Sequence, residues 1–539
     1  MPRSRFVEAL LAGRCFKFGF FTMTDIEHQS ASSDVKEKKT PYAVDIEQSS
    51  GEGQVVDISN TYIGVFGRLS RWLEKYGMES RGFQRVLPEE RSKQSLWGLC
   101  LIWSSASLTI STFTVGYLGP AVFNLTFGQT TAIVWTILLI GACCSGYLAT
   151  FGKKHGLRAL VNSRFTFGYY GAMLMSALNI LTEMIFGFQA CIQGGQTLAA
   201  TSKGNLSTVG GIIIIGIVSW FIASAGFKYV HQYERVAWIL PMIVYICLYA
   251  VGAPHFIGGT SPIVYSTPTQ AGLALSFAAI AFSCGAGWVA VSADYYVYFP
   301  VETPSWKIFL ISTLGIWAIP AFAITCGAGF AAALWSNVEW ATAFAETDGS
   351  SAALIEIALR PLGNVRYFFL FVLAFSMMSN NVFNLYSIGI SMQLFGKWPS
   401  KLPRFMYTFL SVVVMIIVSC VGYKSLNDII ANLGAIIGYW SMAYFILIVE
   451  ESVIFRGSRG YDLYGWDNPH VLPVGFAAML AFGVGIAGAV VGMSQTWYTG
   501  PIARMIGEDG GDIGTWLAMS FAAVAYPGLR YFELKRFDR

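Results

Sequence analysis

Twelve apolar stretches, evenly spaced between residues 96 and 530, decide what this chain can become. They run at about 96–117, 129–150, 168–199, 208–226, 235–253, 271–296, 306–334, 365–392, 404–422, 426–449, 472–493 and 513–530, and are numbered 1 to 12 in that order. Most hold about 18 or more largely apolar residues, enough to cross ~30 Å of hydrocarbon at ~1.5 Å per residue. No water reaches the backbone there, so each stretch must satisfy its own peptide groups, which long apolar segments do as helices. Barrel strands would be about 10 residues long with strict alternation, a pattern absent here. Composition agrees. Only 12% of the 539 residues are charged and 55% are hydrophobic, too little charge to cover a soluble surface of this size. The expected fold is an all-α membrane protein of about 12 transmembrane helices lying in a lipid bilayer.

Basic residues set the expected orientation. With the N-terminus inside, the inner loops and C-terminal tail hold Lys153, Lys154, Arg158, Arg164, Lys228, Arg235, Lys307, Lys397, Lys401, Arg404, Arg456, Arg459, Arg530, Lys535, Arg536 and Arg539. The outer loops hold only Lys203, Arg360, Arg366, Lys424 and Arg504. Both termini are therefore expected in the cytosol, and the helix count is expected to be even. Residues 1–94 are polar and of mixed charge and read as a cytosolic, largely disordered tail. Their first 22 residues resemble a weak transit peptide, and Met23 offers an alternative start. The remaining boundaries are expected at 95–253 (helices 1–5), 254–450 (helices 6–10), 451–530 (helices 11 and 12) and 531–539, a short cytosolic tail.

Several function classes drop out. The basic residues lie between apolar blocks and form no stripe for nucleic acid. None of the 9 cysteines shows a C-x-x-C spacing, so no metal site is expected, and all but Cys15 sit in or beside apolar segments as small hydrophobes. No nucleophile elbow, phosphate loop or zinc-protease motif appears, which argues against an enzyme. The run Thr114-Val115-Gly116-Tyr117 matches part of a potassium filter, but Leu118 stands where the final Gly would be.

A carrier needs a polar site deep in the bilayer, usually beside interrupted helices. Two segments read as breakable: Trp103-Ser104-Ser105-Ala106-Ser107, with Gly116 and Gly119-Pro120 after it, and Ser283-Cys284-Gly285-Ala286-Gly287-Trp288. Glycine and serine also permit close helix packing, so each segment alone has two readings. They are helices 1 and 6, which a five-plus-five inverted repeat would set opposite each other around the substrate. Helix 8 holds the densest polar cluster, from Ser376 through Ser387. Its Asn380 and Asn384 are four apart and share a face, and each amide offers two donors and an acceptor to the edge of a heterocycle. Trp288 suits stacking on the ring. Glu183 is the one carboxylate clearly inside a span, costly there unless it is protonated, paired or wet, and it is a candidate for proton coupling or ligand binding. Asp294, near the end of helix 6, reads as structural or as part of a gate.

These residues together give the chain a likeness. It resembles the purine–cytosine permease branch of the nucleobase–cation symporter family, as found in fungi. The likeness rests on Ser379-Asn-Asn-Val-Phe-Asn-Leu-Tyr-Ser387, Gly285-Ala-Gly-Trp-Val-Ala-Val-Ser-Ala-Asp-Tyr295, Gly194-Gly-Gln196 and an ending from Gly500-Pro-Ile-Ala to Tyr526-Pro-Gly-Leu-Arg-Tyr-Phe-Glu-Leu534, and covers roughly residues 60–539. The resemblance implies a LeuT-type fold of ten core helices plus two C-terminal ones. It also implies proton-coupled uptake of a nucleobase at the plasma membrane, with the proton favoured over sodium as coupling ion and no other cofactor. Ligand positions would fall on Ser105, Trp288, Asn380 and Asn384. Many relatives carry tryptophan and asparagine where Phe186 and Ala190 stand here, so the polar load would move to Gln189, Gln193 or Glu183, with Phe186 still able to stack. Phe383 stands where cytosine and purine carriers often have proline. These departures keep a vitamin B6 or other non-nucleobase carrier open as an alternative, with a non-transporting sensor behind it.

Overall fold

The computed structural model describes residues 82–91, 95–202, 205–224, 236–256, 263–347, 349–396, 398–457 and 460–539. The expectations for residues 1–81 and 92–94 of the N-terminal tail, and those placed on Lys203, Lys228, Arg235, Lys397 and Arg459, lie outside these residues; residues 82–91, expected in the disordered tail, are instead packed, with Phe83 and Val86 buried and the Val86 amide donating to the Gly156 carbonyl at 2.8 Å. Each apolar segment contains a helix, called a span below by the number of its segment. Eight helices among the described residues are long and apolar enough to cross a membrane singly: Phe127–His155, Arg164–Thr201, Ile239–Phe256, Thr267–Ala290, Ser305–Ala333, Val365–Gln393, Arg404–Gly422 and Leu433–Phe455. They are spans 2, 3, 5, 6, 7, 8, 9 and 10. Span 1 is a bent pair, Leu96–Ser107 and Ile110–Ala121, and spans 4, 11 and 12 are Thr208–Ser224, Phe476–Gly492 and Gly514–Phe537.

The packing repeats with a shift of five. Span 1 lies on span 7 as span 6 lies on span 2; span 4 lies on spans 3 and 8 as span 9 lies on spans 8 and 3; spans 3 and 8 pair with each other. An inverted repeat of five plus five helices produces this pattern. Spans 11 and 12 pack on each other and against span 10. The loop joining them carries a two-stranded hairpin, β1 (Ser494–Gln495) and β2 (Tyr498–Thr499).

Glycine sets the closest approaches. A Cβ on Gly116 would lie 1.8 Å from the Ile324 carbonyl oxygen, and one on Gly327 would lie 1.9 Å from that of Phe113. Spans 1 and 7 therefore touch backbone to backbone, as small residues permit in membranes. Gly168 has φ +71° and a kink in span 3 beside Pro473 and Val474, a conformation open to glycine and costly for other residues.

Candidate functional site

Span 1 stops at Ser107 and restarts at Ile110 with a 59° bend. The Thr109 hydroxyl caps the restart by accepting from the Thr112 amide at 3.4 Å. The break frees backbone groups, and the Asn380 amide donates to the Ala106 carbonyl at 2.9 Å. Span 6 loses its α-helix at Ala286 and continues as two short 3₁₀ turns, Gly287–Ala290 and Ser292–Tyr295. The Ser145 hydroxyl donates to the Gly285 carbonyl at 2.7 Å, and the Ser292 hydroxyl donates to the Ser145 carbonyl at 2.9 Å. Both interruptions are thus held by side chains of neighbouring spans.

Between the two breaks lies a cavity of about 100 Å³. At ~10–15 Å³ per water-sized occupant, it holds several waters or one small ring. Span 1 lines it with Ser107, Ser111 and Thr112, span 3 with Glu183, Phe186 and Gln189, and span 6 with Ser283, Cys284, Gly287 and Trp288. Spans 7, 8 and 10 add Pro320, Asn380 with Asn384, and Gly434 with Ile437.

The two aromatic rings are positioned from behind. Trp288 is held edge-on by Trp103, at 5.0 Å between centroids, and by Phe383, at 6.3 Å. Phe186 faces the break, and a Cβ on Gly287 would just touch its ring at 3.7 Å. Gln189 donates to the Ser111 hydroxyl. Asn384 is only 3% exposed and its Nδ2 has no hydrogen-bond partner among the described residues. Glu183 is 5% exposed, with Ser387 beside it. Its carboxylate forms no ion pair among the described residues.

Six of the seven residues singled out from sequence meet here: Glu183, Phe186, Gln189, Trp288, Asn380 and Asn384. Ser105 does not. Its hydroxyl is 3.0 Å from that of Ser379, so it ties span 1 to span 8 behind the cavity. Gly116 and Gly119-Pro120 also take no part in the break, since the helix continues to Ala121. Gln193 lies one turn beyond the cavity and donates to Thr114 at 2.9 Å, while Ala190 is fully buried in an apolar cluster. Asp294 accepts from the Ala159 amide at 2.7 Å and anchors the end of span 6 to the loop between spans 2 and 3. Sequence reasoning missed Ser107 and Ser111, which flank the break in span 1 and meet at the cavity only because of it. It also missed Gly434 and Ile437, which carry no polar signal.

The chain matches the family model described as permease for cytosine/purines, uracil, thiamine, allantoin over residues 86–507. It is 33% identical over 506 residues to a purine-cytosine permease of Emericella nidulans, covering 93% of this chain and 98% of that one. It is 29% identical over 523 residues to a vitamin B6 transporter of Saccharomyces cerevisiae, covering 87% and 90%. Among solved structures it is similar to Mhp1, a nucleobase-cation-symport-1 family transporter, in a closed conformation with bromovinylhydantoin bound. There the TM-score is 0.63 at 14% identity, over 85% of this chain and 96% of the other. That likeness carries the LeuT-type fold.

Proposed function

The chain belongs to the family of permeases for cytosine/purines, uracil, thiamine and allantoin, transporters and not enzymes, and from that premise we propose that it takes up a nucleobase or related small heterocycle across the plasma membrane by proton-coupled alternating access. The observation that carries the reading is the Asn384 amide nitrogen, buried and without a partner among the described residues, on the wall of a cavity that also presents Phe186 and Trp288. An unmade hydrogen bond on a buried donor costs about 1–3 kcal/mol. A ring acceptor that enters the cavity recovers it, while the two aromatic side chains cover the ring's apolar faces.

The steps follow from the site. The heterocycle enters from outside, stacks between Trp288 and Phe186, and bonds to Asn384. Asn380 shares that face, but its amide nitrogen already holds the Ala106 carbonyl, so substrate contact there couples directly to the break in span 1. Glu183 takes up the coupling proton. Loss of its charge removes the penalty of closing a carboxylate away from water, and closure of the outer side follows. The core rocks, and the cavity opens to the cytosol, where both termini lie.

A vitamin B6 carrier is the second reading. It is favoured by the similarity to the yeast transporter and by Ala190 and Phe383. One uptake panel separates the readings. Labelled cytosine, adenine and pyridoxine are offered to cells lacking their own carriers, with and without a protonophore. Accumulation of one class, abolished by the protonophore, is expected. Accumulation that ignores the protonophore removes proton coupling. Binding without accumulation in vesicles under a pH gradient makes the chain a sensor.

A further inference from the structure

Beside the central cavity lies a second one of about 210 Å³, walled by Phe123, Leu273, Ser276, Ala435 and the loop between spans 11 and 12. Ile280 borders both cavities, and Gly434 and Ala435 of span 10 face one and the other. Along span 6, Leu273, Ser276, Ile280, Ser283 and Gly287 recur at helical spacing, so one stripe of a single helix leads from the second cavity into the first.

The polar wall comes from outside the ten-helix core. Gln495, in β1, is 8% exposed and lines this cavity. Its Nε2 donates to the Tyr439 hydroxyl at 2.7 Å and to Asp512 Oδ2 at 2.9 Å. Asp512 Oδ2 also accepts from Tyr439 and from the Ser494 amide, and its Oδ1 from the Gly514 amide at 3.0 Å. A carboxylate that only accepts requires the nitrogen of the Gln495 amide to face it. The amide orientation is thereby fixed, and Oε1, an acceptor, is turned away from that carboxylate.

We propose that this second cavity is a receiving site for the substrate, with Gln495 Oε1 selecting rings that carry an N–H or amino donor before they pass Ile280 into the central cavity. The proposal rests on the reading of the chain as a heterocycle carrier. It gives the two added helices a part in specificity, because Asp512 and Tyr439 act as positioning residues for Gln495.

The test uses purified full-length protein and cells expressing it, with labelled cytosine or pyridoxine, whichever the wild type accumulates. Two classes of equilibrium binding are expected in the wild type. Gln495→Leu should remove the weaker class and raise the uptake KM about 3–10-fold, the size of one lost hydrogen bond, with maximal rate and tight class unchanged. Thr499→Trp, which fills the cavity from the half-exposed β2 and spares the amide network, should do the same and decides the matter if the first variant fails to fold. A single binding class in the wild type, with wild-type KM in Thr499→Trp, overturns the receiving site alone. No heterocycle uptake by the wild type overturns the carrier reading and this proposal with it.

Discussion

Two buried polar regions of this protein are built on opposite plans. Where span 10 gives way to the loop before span 11, Glu451 is fully buried and every demand it makes is met. It accepts from Arg456 at 2.7 Å, from Tyr526 at 2.8 Å and from two nitrogens of Arg530 at 2.9 Å each. Arg530 also reaches Glu533, which in turn accepts from the Gly475 and Ala477 amides at the start of span 11. Charges of both signs balance there. The central cavity holds one carboxylate without an ion pair and one amide nitrogen without a partner among the described residues. A closed network binds helices together, whereas open valences in a cavity are places for something that comes and goes.

The contrast predicts different failures. Glu451→Ala should be the most damaging single change, because it strands the Arg530 guanidinium, 1% exposed, without its main acceptor. Breaking such a pair costs about 3–5 kcal/mol, so little folded protein should reach the membrane, as read by fluorescence-detected gel filtration. Asn384→Ala should leave surface protein at wild-type level and abolish uptake at low substrate, through a loss of ~5–150-fold in affinity. Normal kinetics in that variant, or a folding defect as deep as that of Glu451→Ala, would break the distinction between the two regions.

The spans were readable from sequence because lipid leaves the chain few alternatives, and all twelve segments form helices at the expected places. The interruptions were readable as compositions but not in detail. Ser105 and Ser107 differ by two residues, which on a helix is about 200°, and the one that faces the cavity is Ser107. Nothing local in a serine-rich run says which. Gly116 looked like a point of unwinding and proved to be a point of contact with span 7. The contribution of span 10 was invisible, since Gly434 and Ile437 differ in no way from lipid-facing residues until the fold turns them inward. Asn384 was legible because an amide deep in an apolar helix has few uses.

Ser105→Ala tests that reading at smaller scale. Its hydroxyl makes one interhelical bond, to Ser379. Such bonds average about 0.6 kcal/mol in membranes, so KM should stay within roughly threefold of wild type and melting should fall slightly. A loss like that of Asn384→Ala would return Ser105 to the substrate's surroundings.

The smallest effect belongs to Asp512, which lies between the two plans. Like Glu451 it is saturated with hydrogen bonds, but like Glu183 it has no cation paired with it among the described residues. Burial is the main influence and pushes its carboxyl above the ordinary aspartate value, against the pull of its donors. An acid whose folded value is raised binds its proton more tightly folded than unfolded. Stability should therefore rise as pH falls through the folded value toward the ordinary one near ~3.9. Melting of detergent-solubilised wild type should show that rise between neutral and mildly acidic pH, and Asp512→Asn, which carries no charge to bury, should lack it. Parallel melting curves for the two proteins across that range would mean that hydrogen bonds alone compensate the charge, and would place Asp512 with the closed network of Glu451.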